Sequence, residues 1–260
     1  VRTVTPMRLA CILVAIGLVG CVSTSTRPEL EASDKDAAQY NMQLGVSYLR
    51  QGELQTAQAK LEKAIAQDPS LAAAHAALGL VFERLGDSAG AERQYRRAVS
   101  ADPDDPNALN SLAVFLCSTK RDAREPLGYF DRALEVPLTR TMYNRAMVYT
   151  NAGTCAKRLD PARAERYLRA ALSTDANYRE ALFQLADVSQ GVGNHLQARA
   201  FLDRYLASGA ATPEALWLGV RIEEALGQQA ESARYGERLK REFPQAVETR
   251  LLLEGKADAR

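Results

Sequence analysis

Leu44–Pro69 reads LGVSYLRQGELQTAQAKLEKAIAQDP, and Leu78–Pro103 reads LGLVFERLGDSAGAERQYRRAVSADP. At an offset of 34 residues, Leu44, Gly45, Tyr48, Gly52, Ala57, Leu61, Ala64 and Pro69 fall on Leu78, Gly79, Phe82, Gly86, Ala91, Tyr95, Ala98 and Pro103. Every pair is the same residue or the same kind of residue. Each unit reads as two helices joined by a turn at Gly52 or Gly86, where a positive φ is easily met. Gly45 and Gly79 sit inside the first helix despite a propensity penalty of about 1 kcal/mol. A small residue there is expected to let the second helix approach, presenting Ala57 or Ala91. Pro69 and Pro103, each behind an aspartate, end the second helix and open the next unit. One such unit cannot bury its apolar face, so the core must be shared between neighbours.

A helix-turn-helix unit of this period, with these residues at these positions, resembles the tetratricopeptide repeat. The resemblance implies an all-α fold, a right-handed solenoid of stacked helix pairs. The later copies are degenerate. A third runs from about Pro106 to Pro137 through Leu109, Leu112, Ala113, Leu116, Phe130 and Ala133, with one extra residue in its turn. A fourth carries Ala152, Gly153, Ala164, Leu168 and Ala171, and a fifth Leu182, Leu185, Ala186, Gly193, Ala198 and Leu202. The sixth has Leu218, Gly219, Ile222, Gly227, Leu239 and Pro244. Residues 245–260 are expected to form a capping helix that frays at Ala257–Arg260. The repeat domain is therefore placed at 36–260.

Residues 1–35 do not follow the period. Arg2 and Arg8 precede an apolar run, Leu9–Gly20, that is short of the roughly 20 residues a membrane span needs. Residues 1–20 read as a signal peptide. Leu18-Val19-Gly20-Cys21 resembles the lipobox of bacterial lipoproteins, which implies cleavage before Cys21 and lipidation of its thiol. Several acyl chains on one residue anchor firmly, since each buried methylene adds about 0.8 kcal/mol. The residue after the cysteine is Val22 rather than aspartate, which under the enteric sorting rule implies the outer membrane, on its periplasmic face. Residues 21–35, polar after Val22, read as the lipidated cysteine and a flexible tether.

Losing Arg2 and Arg8 from 33 basic residues leaves 31 against 32 acidic, so no positive field remains to attract nucleic acid. No HExxH, CxxC, GxSxG or phosphate loop occurs, and no catalytic residue, metal ligand set, cofactor or small-molecule substrate is expected. His75 stands at a packing position of the second repeat, and His195 in a turn where exposure is expected. Asp102-Pro103-Asp104-Asp105 is an inter-repeat turn without EF-hand spacing. Cys117 and Cys155 fall late in the first helices of adjacent repeats, at about the same height. They are either two reduced core thiols or a disulfide closing a loop of 38 residues, the reading that the oxidising compartment of a lipoprotein favours.

In this architecture the functional surface is usually the concave groove lined by first helices. Its first half is expected to present Met42, Val46 and Leu49, then Ala76 and Leu80, then Asn110 and Val114, with Arg50, Glu83 and Arg84 along the rim. An apolar floor with charged edges suits an extended or helical peptide. The alternative at each position is simple packing against the next repeat.

Three longer stretches go beyond the repeat consensus: SLAVFLC at 111–117 with Val136-Pro137-Leu138, TNAGTCA at 150–156, and PEALWLG at 213–219. With the lipobox and six repeats, they resemble the PilF/PilW family of type IV pilus biogenesis lipoproteins. The resemblance implies a pilotin at the outer membrane that binds the pilus secretin, or another pilus-assembly protein, and promotes its assembly into a multimeric channel. The rival expectation is a repeat lipoprotein that scaffolds peptidoglycan hydrolases or other envelope complexes.

Overall fold

A Cβ placed on Gly45 would stand 2.6 Å from Leu61 Cγ, and one on Gly79 would stand 2.9 Å from the ring of Tyr95. No side chain fits in that space, and this close approach fixes how the two helices of a unit cross. It also corrects the expected partner. The glycine meets the large residue sixteen positions on, while Ala57 contributes only its carbonyl oxygen, 3.3 Å away. Gly153 against Leu168 and Gly219 against Tyr235 repeat the arrangement.

The computed structural model describes Val1, residues 34–119 and residues 124–255. The expected signal peptide apart from Val1, Cys21 with nearly all of its tether, and the fraying end Ala257–Arg260 lie outside the described residues. Those described form thirteen helices. The first pair is α1 (Asp34–Gln51) with α2 (Leu54–Gln67), and the second α3 (Ala72–Arg84) with α4 (Ser88–Ala101). Next come α5 (Pro106–Thr119) with α6 (Arg124–Glu135), and α7 (Arg145–Ala156) with α8 (Pro161–Thr174). Then follow α9 (Arg179–Gly191) with α10 (His195–Ala207), α11 (Pro213–Ala225) with α12 (Gln229–Glu242), and a lone α13 (Val247–Leu253). Six pairs and a cap are what the period predicts. The described part of α1 carries Asp34 and Asp36 near its N-terminal end, where carboxylates suit the positive end of the helix dipole.

Local chemistry closes each unit. Gly52 and Gly86 adopt φ of +82° in the turns. Asp87, Asn144 and Asp160 cap α4, α7 and α8 by accepting from the backbone N–H three residues on, and Thr212 does the same for α11. The acidic turn after α4 is an ion-pair site for this chain's own Arg140, which reaches Asp104 at 2.7 Å and Asp102 at 3.3 Å.

The first helices touch one another in series, from α1 on α3 through to α11 on α13. The backbone of each second helix comes close only to its own partner and to the first helix of the next unit, and one second helix reaches the next through long side chains, as Arg163 does to Asp131 at 2.7 Å. The stack is therefore closer-packed on the side of the first helices, which makes them the inner layer of the solenoid. Between the layers lies a core of small alanines and fully buried Leu61, Leu112, Phe130, Leu168, Leu185 and Leu202. Each large aliphatic side chain buried this way contributes about 1.5–3 kcal/mol. Helix α13 closes the far end by laying Leu251 and Leu252 against Leu216, Trp217 and Leu239.

Candidate functional site

The inner layer divides at the third repeat. Along it, the residue just after each unit's small residue is Val46, Leu80 and Val114 in the first three pairs, and Thr154 and Asp187 in the next two. Leu80 and Val114 are 38% and 41% exposed, on α3 and α5, which pack side by side. Val46 and Ala76 are half-buried, and Arg50, Glu83 and Arg84 are exposed. This is an apolar strip with charged residues beside it.

Three expected groove residues belong elsewhere. Leu49 is 4% exposed and packs with Leu61, Leu78 and Val81. It lies one turn beyond Gly45, on the side of α1 that meets α2, so it is core. Met42 is half-buried against the same cluster. Asn110 is buried, and its Oδ1 accepts from Asn151 Nδ2 at 3.0 Å, so it joins α5 to α7 rather than facing a partner.

The rim is partly committed to the fold. Arg84 Nη1 donates to the Leu49 carbonyl at 2.9 Å, bracing the second pair on the first. Glu83 Oε2 accepts from the Tyr95 hydroxyl at 2.8 Å. Burial, and then this carboxylate, push the Tyr95 pKa well above its ordinary value. Arg50 makes no ion pair among the described residues.

Cys117 and Cys155 form a disulfide between α5 and α7, with their Cα atoms 5.8 Å apart. His75 is buried, with Nδ1 2.9 Å from Gln94 Oε1 and Nε2 3.0 Å from the Pro69 carbonyl, a packing histidine with both nitrogens engaged. His195 departs from expectation. It begins α10 half-buried, with Nδ1 2.7 Å from Gln190 Oε1. No group of three or more His, Cys, Asp or Glu placed to hold a metal occurs among the described residues.

Sequence reading missed the polar links of the later repeats. Glu223, almost fully buried on α11, is gripped by Arg199 of α10, whose Nε donates at 2.7 Å while Nη2 takes the second carboxylate oxygen. Lys157 pairs with Asp187 at 2.6 Å across α7 and α9. The one available signal was a glutamate in the last turn of a largely apolar first helix, VRIEEAL at 220–226.

A solenoid of six such helix pairs, each packed on the next through its first helix and ended by a capping helix, defines a tetratricopeptide-repeat protein. A tetratricopeptide-repeat family model matches residues 42–106 and, overlapping, 76–140. The chain is 31% identical over 240 residues, 91% of its length and 93% of the relative's, to the type IV pilus assembly protein PilF of Pseudomonas aeruginosa. A structure of Pseudomonas aeruginosa PilF matches with a TM-score of 0.74 at 29% identity, covering 86% of this chain and 99% of that one. The crystal structure of PilW, a widely conserved type IV pilus biogenesis factor, matches with a TM-score of 0.77 at 26% identity, covering 83% and 98%. The chain belongs to the PilF/PilW family of tetratricopeptide-repeat proteins, homologous to type IV pilus biogenesis factors.

Proposed function

We propose that this protein is a pilotin: a lipoprotein of the outer membrane that binds the type IV pilus secretin and promotes its multimer assembly. The observation that carries the reading is identity sustained through 91% of this chain to a type IV pilus assembly protein. The division of labour follows from the two parts of the sequence. Acyl chains on Cys21 supply the address, and the solenoid supplies a rigid docking surface on which little ordering entropy is lost. The strip around Leu80 and Val114 is the docking face, because an exposed apolar strip is where a partner's apolar segment gains by leaving water.

The test is a deletion strain complemented with wild-type protein or with Cys21→Ser. Deletion should abolish secretin multimers, and Cys21→Ser should lose alkyne-fatty-acid label and reduce multimers in the outer membrane. Normal multimers in the deletion strain would remove the pilotin reading in favour of a scaffold for cell-wall enzymes. Undiminished label on the serine variant would remove the anchor alone.

A further inference from the structure

Two residues after the small residue of each first helix lies a position that faces the preceding pair; at Cys155 it bonds directly to Cys117 of that pair. In the second to fifth repeats the position holds Val81, Phe115, Cys155 and Val188, all buried. In α11 it holds Arg221, half-buried. Where the earlier repeats bury an apolar side chain at this position, Arg221 instead lines a cleft of about 650 Å³. Its lining includes Lys157 and Arg158 just beyond α7, Asp187 and Val188 on α9, Val192 just after α9, and Arg221.

The charges of the cleft are unbalanced. Lys157 is committed to Asp187 at 2.6 Å. The guanidinium groups of Arg158 and Arg221 have no hydrogen bond or ion pair among the described residues, while the Arg221 carbonyl accepts from Gln190 Nε2 at 3.3 Å. Asp160, close to Arg158 in sequence, is occupied in capping α8, where it accepts from the Arg163 N–H. The negative end of the α7 dipole accounts for cations at 157 and 158. It does not account for Arg221, which lies inside α11 at a position otherwise apolar. Beside these cations Val192 is 47% exposed.

We propose that this cleft is a second docking site, independent of the strip on the first three repeats, for a partner segment in which an acidic side chain stands next to an aliphatic one. The carboxylate pairs with Arg158 and Arg221, for which a fork of donors suits a planar anion. The aliphatic side chain covers the apolar part of the floor, where Val192 is exposed. A bare phosphate group would leave that apolar floor uncovered, which favours a peptide over a lipid headgroup.

The experiment selects dodecamer peptides from a random displayed library on the full chain held in mild detergent. The wild-type chain should enrich Asp or Glu adjacent to Leu, Ile or Val. The winning synthetic peptide should lose about tenfold or more in affinity with Arg158→Glu, with Val192→Asp, or when its own acid becomes an amide. Circular dichroism confirms folding of both variants, which change surface positions. Arg221→Met restores an apolar side chain at that position and should abolish peptide binding without lowering the melting temperature. Absence of an acidic–aliphatic consensus would overturn the proposal, as would peptides that bind all variants equally. Binding of phosphatidylglycerol vesicles that depends on Arg158, with no peptide consensus, would assign the cleft to lipid instead.

Discussion

Single residues decide the geometry of this fold by their size. Gly79 admits the Tyr95 ring at a distance no Cβ would tolerate, and the ring cannot swing aside freely because its hydroxyl is held by Glu83. Gly79→Leu should therefore lower stability by about 1–3 kcal/mol or more, as overpacking does. The check is the thermal melt of the purified protein, and an unchanged melting temperature would show that the register is wrong. Gly79→Ala should fall between the two, since its single carbon already meets the ring. The Tyr95 anchor is insensitive to pH near neutrality. Its folded pKa is raised, so its contribution is complete below the unfolded value of about 10 and fades only in strong alkali. The position of these glycines was legible because a helix former is absent where a helix must run. What each one touches was not, because Ala57 and Leu61 lie one turn apart on the same face of α2 and the repeat pattern does not say at which turn the helices cross.

Between elements, the links that hold one pair on the next differ in kind along the chain. Arg84 reaches the Leu49 carbonyl, Asn151 meets Asn110, and a disulfide joins α5 to α7 beside that amide pair. Arg199 and Glu223 play the same part between α10 and α11. The cysteines were legible because both fall late in first helices of adjacent units, which puts them at one height. The arginine–glutamate link was not. Its partners lie on helices of different units, in the most degenerate repeats, where no periodic match isolates them. Cys117 and Cys155 in protein recovered from the periplasm should resist alkylation until a reductant is added. Replacing both by serine should cost up to about 4 kcal/mol, the chain-entropy value for a loop of this length. Full alkylation without reductant would mean two free core thiols.

At the scale of the whole molecule, one layer of helices serves two purposes: it carries the contacts between units, and it presents the surface left over. Periodicity separates those purposes poorly. Leu49 stands one turn beyond the inner-layer Val46, yet it is core against Leu61, Leu78 and Val81, while Leu80, at the position of Val46 in the next unit, is open to solvent. The difference lies in which side of the helix the neighbouring pair covers, a property of the stack and not of the repeat. Among the expected groove residues, Leu80 and Val114 are thus the exposed apolar pair on which docking should depend. If the proposed pilotin role holds, Leu80→Glu should cost about 2–4 kcal/mol of secretin affinity, since a carboxylate would be buried against an apolar segment. It should cost far less in folding, because the new side chain reaches water and stands four residues before Arg84, a favourable helical pairing. The control is Glu237→Lys on α12, an exposed residue that pairs with Lys240 at 3.0 Å, a surface ion pair of little energetic weight. The measurement is secretin multimer level in cells producing each variant at equal abundance, with circular dichroism to confirm folding. Leu80→Glu should deplete multimers while Glu237→Lys leaves them unchanged. Normal multimers with a folded Leu80→Glu protein would move the docking face to the outer layer or the later repeats. Loss with both variants would mean an indirect effect, and the strip on α1, α3 and α5 would lose its claim.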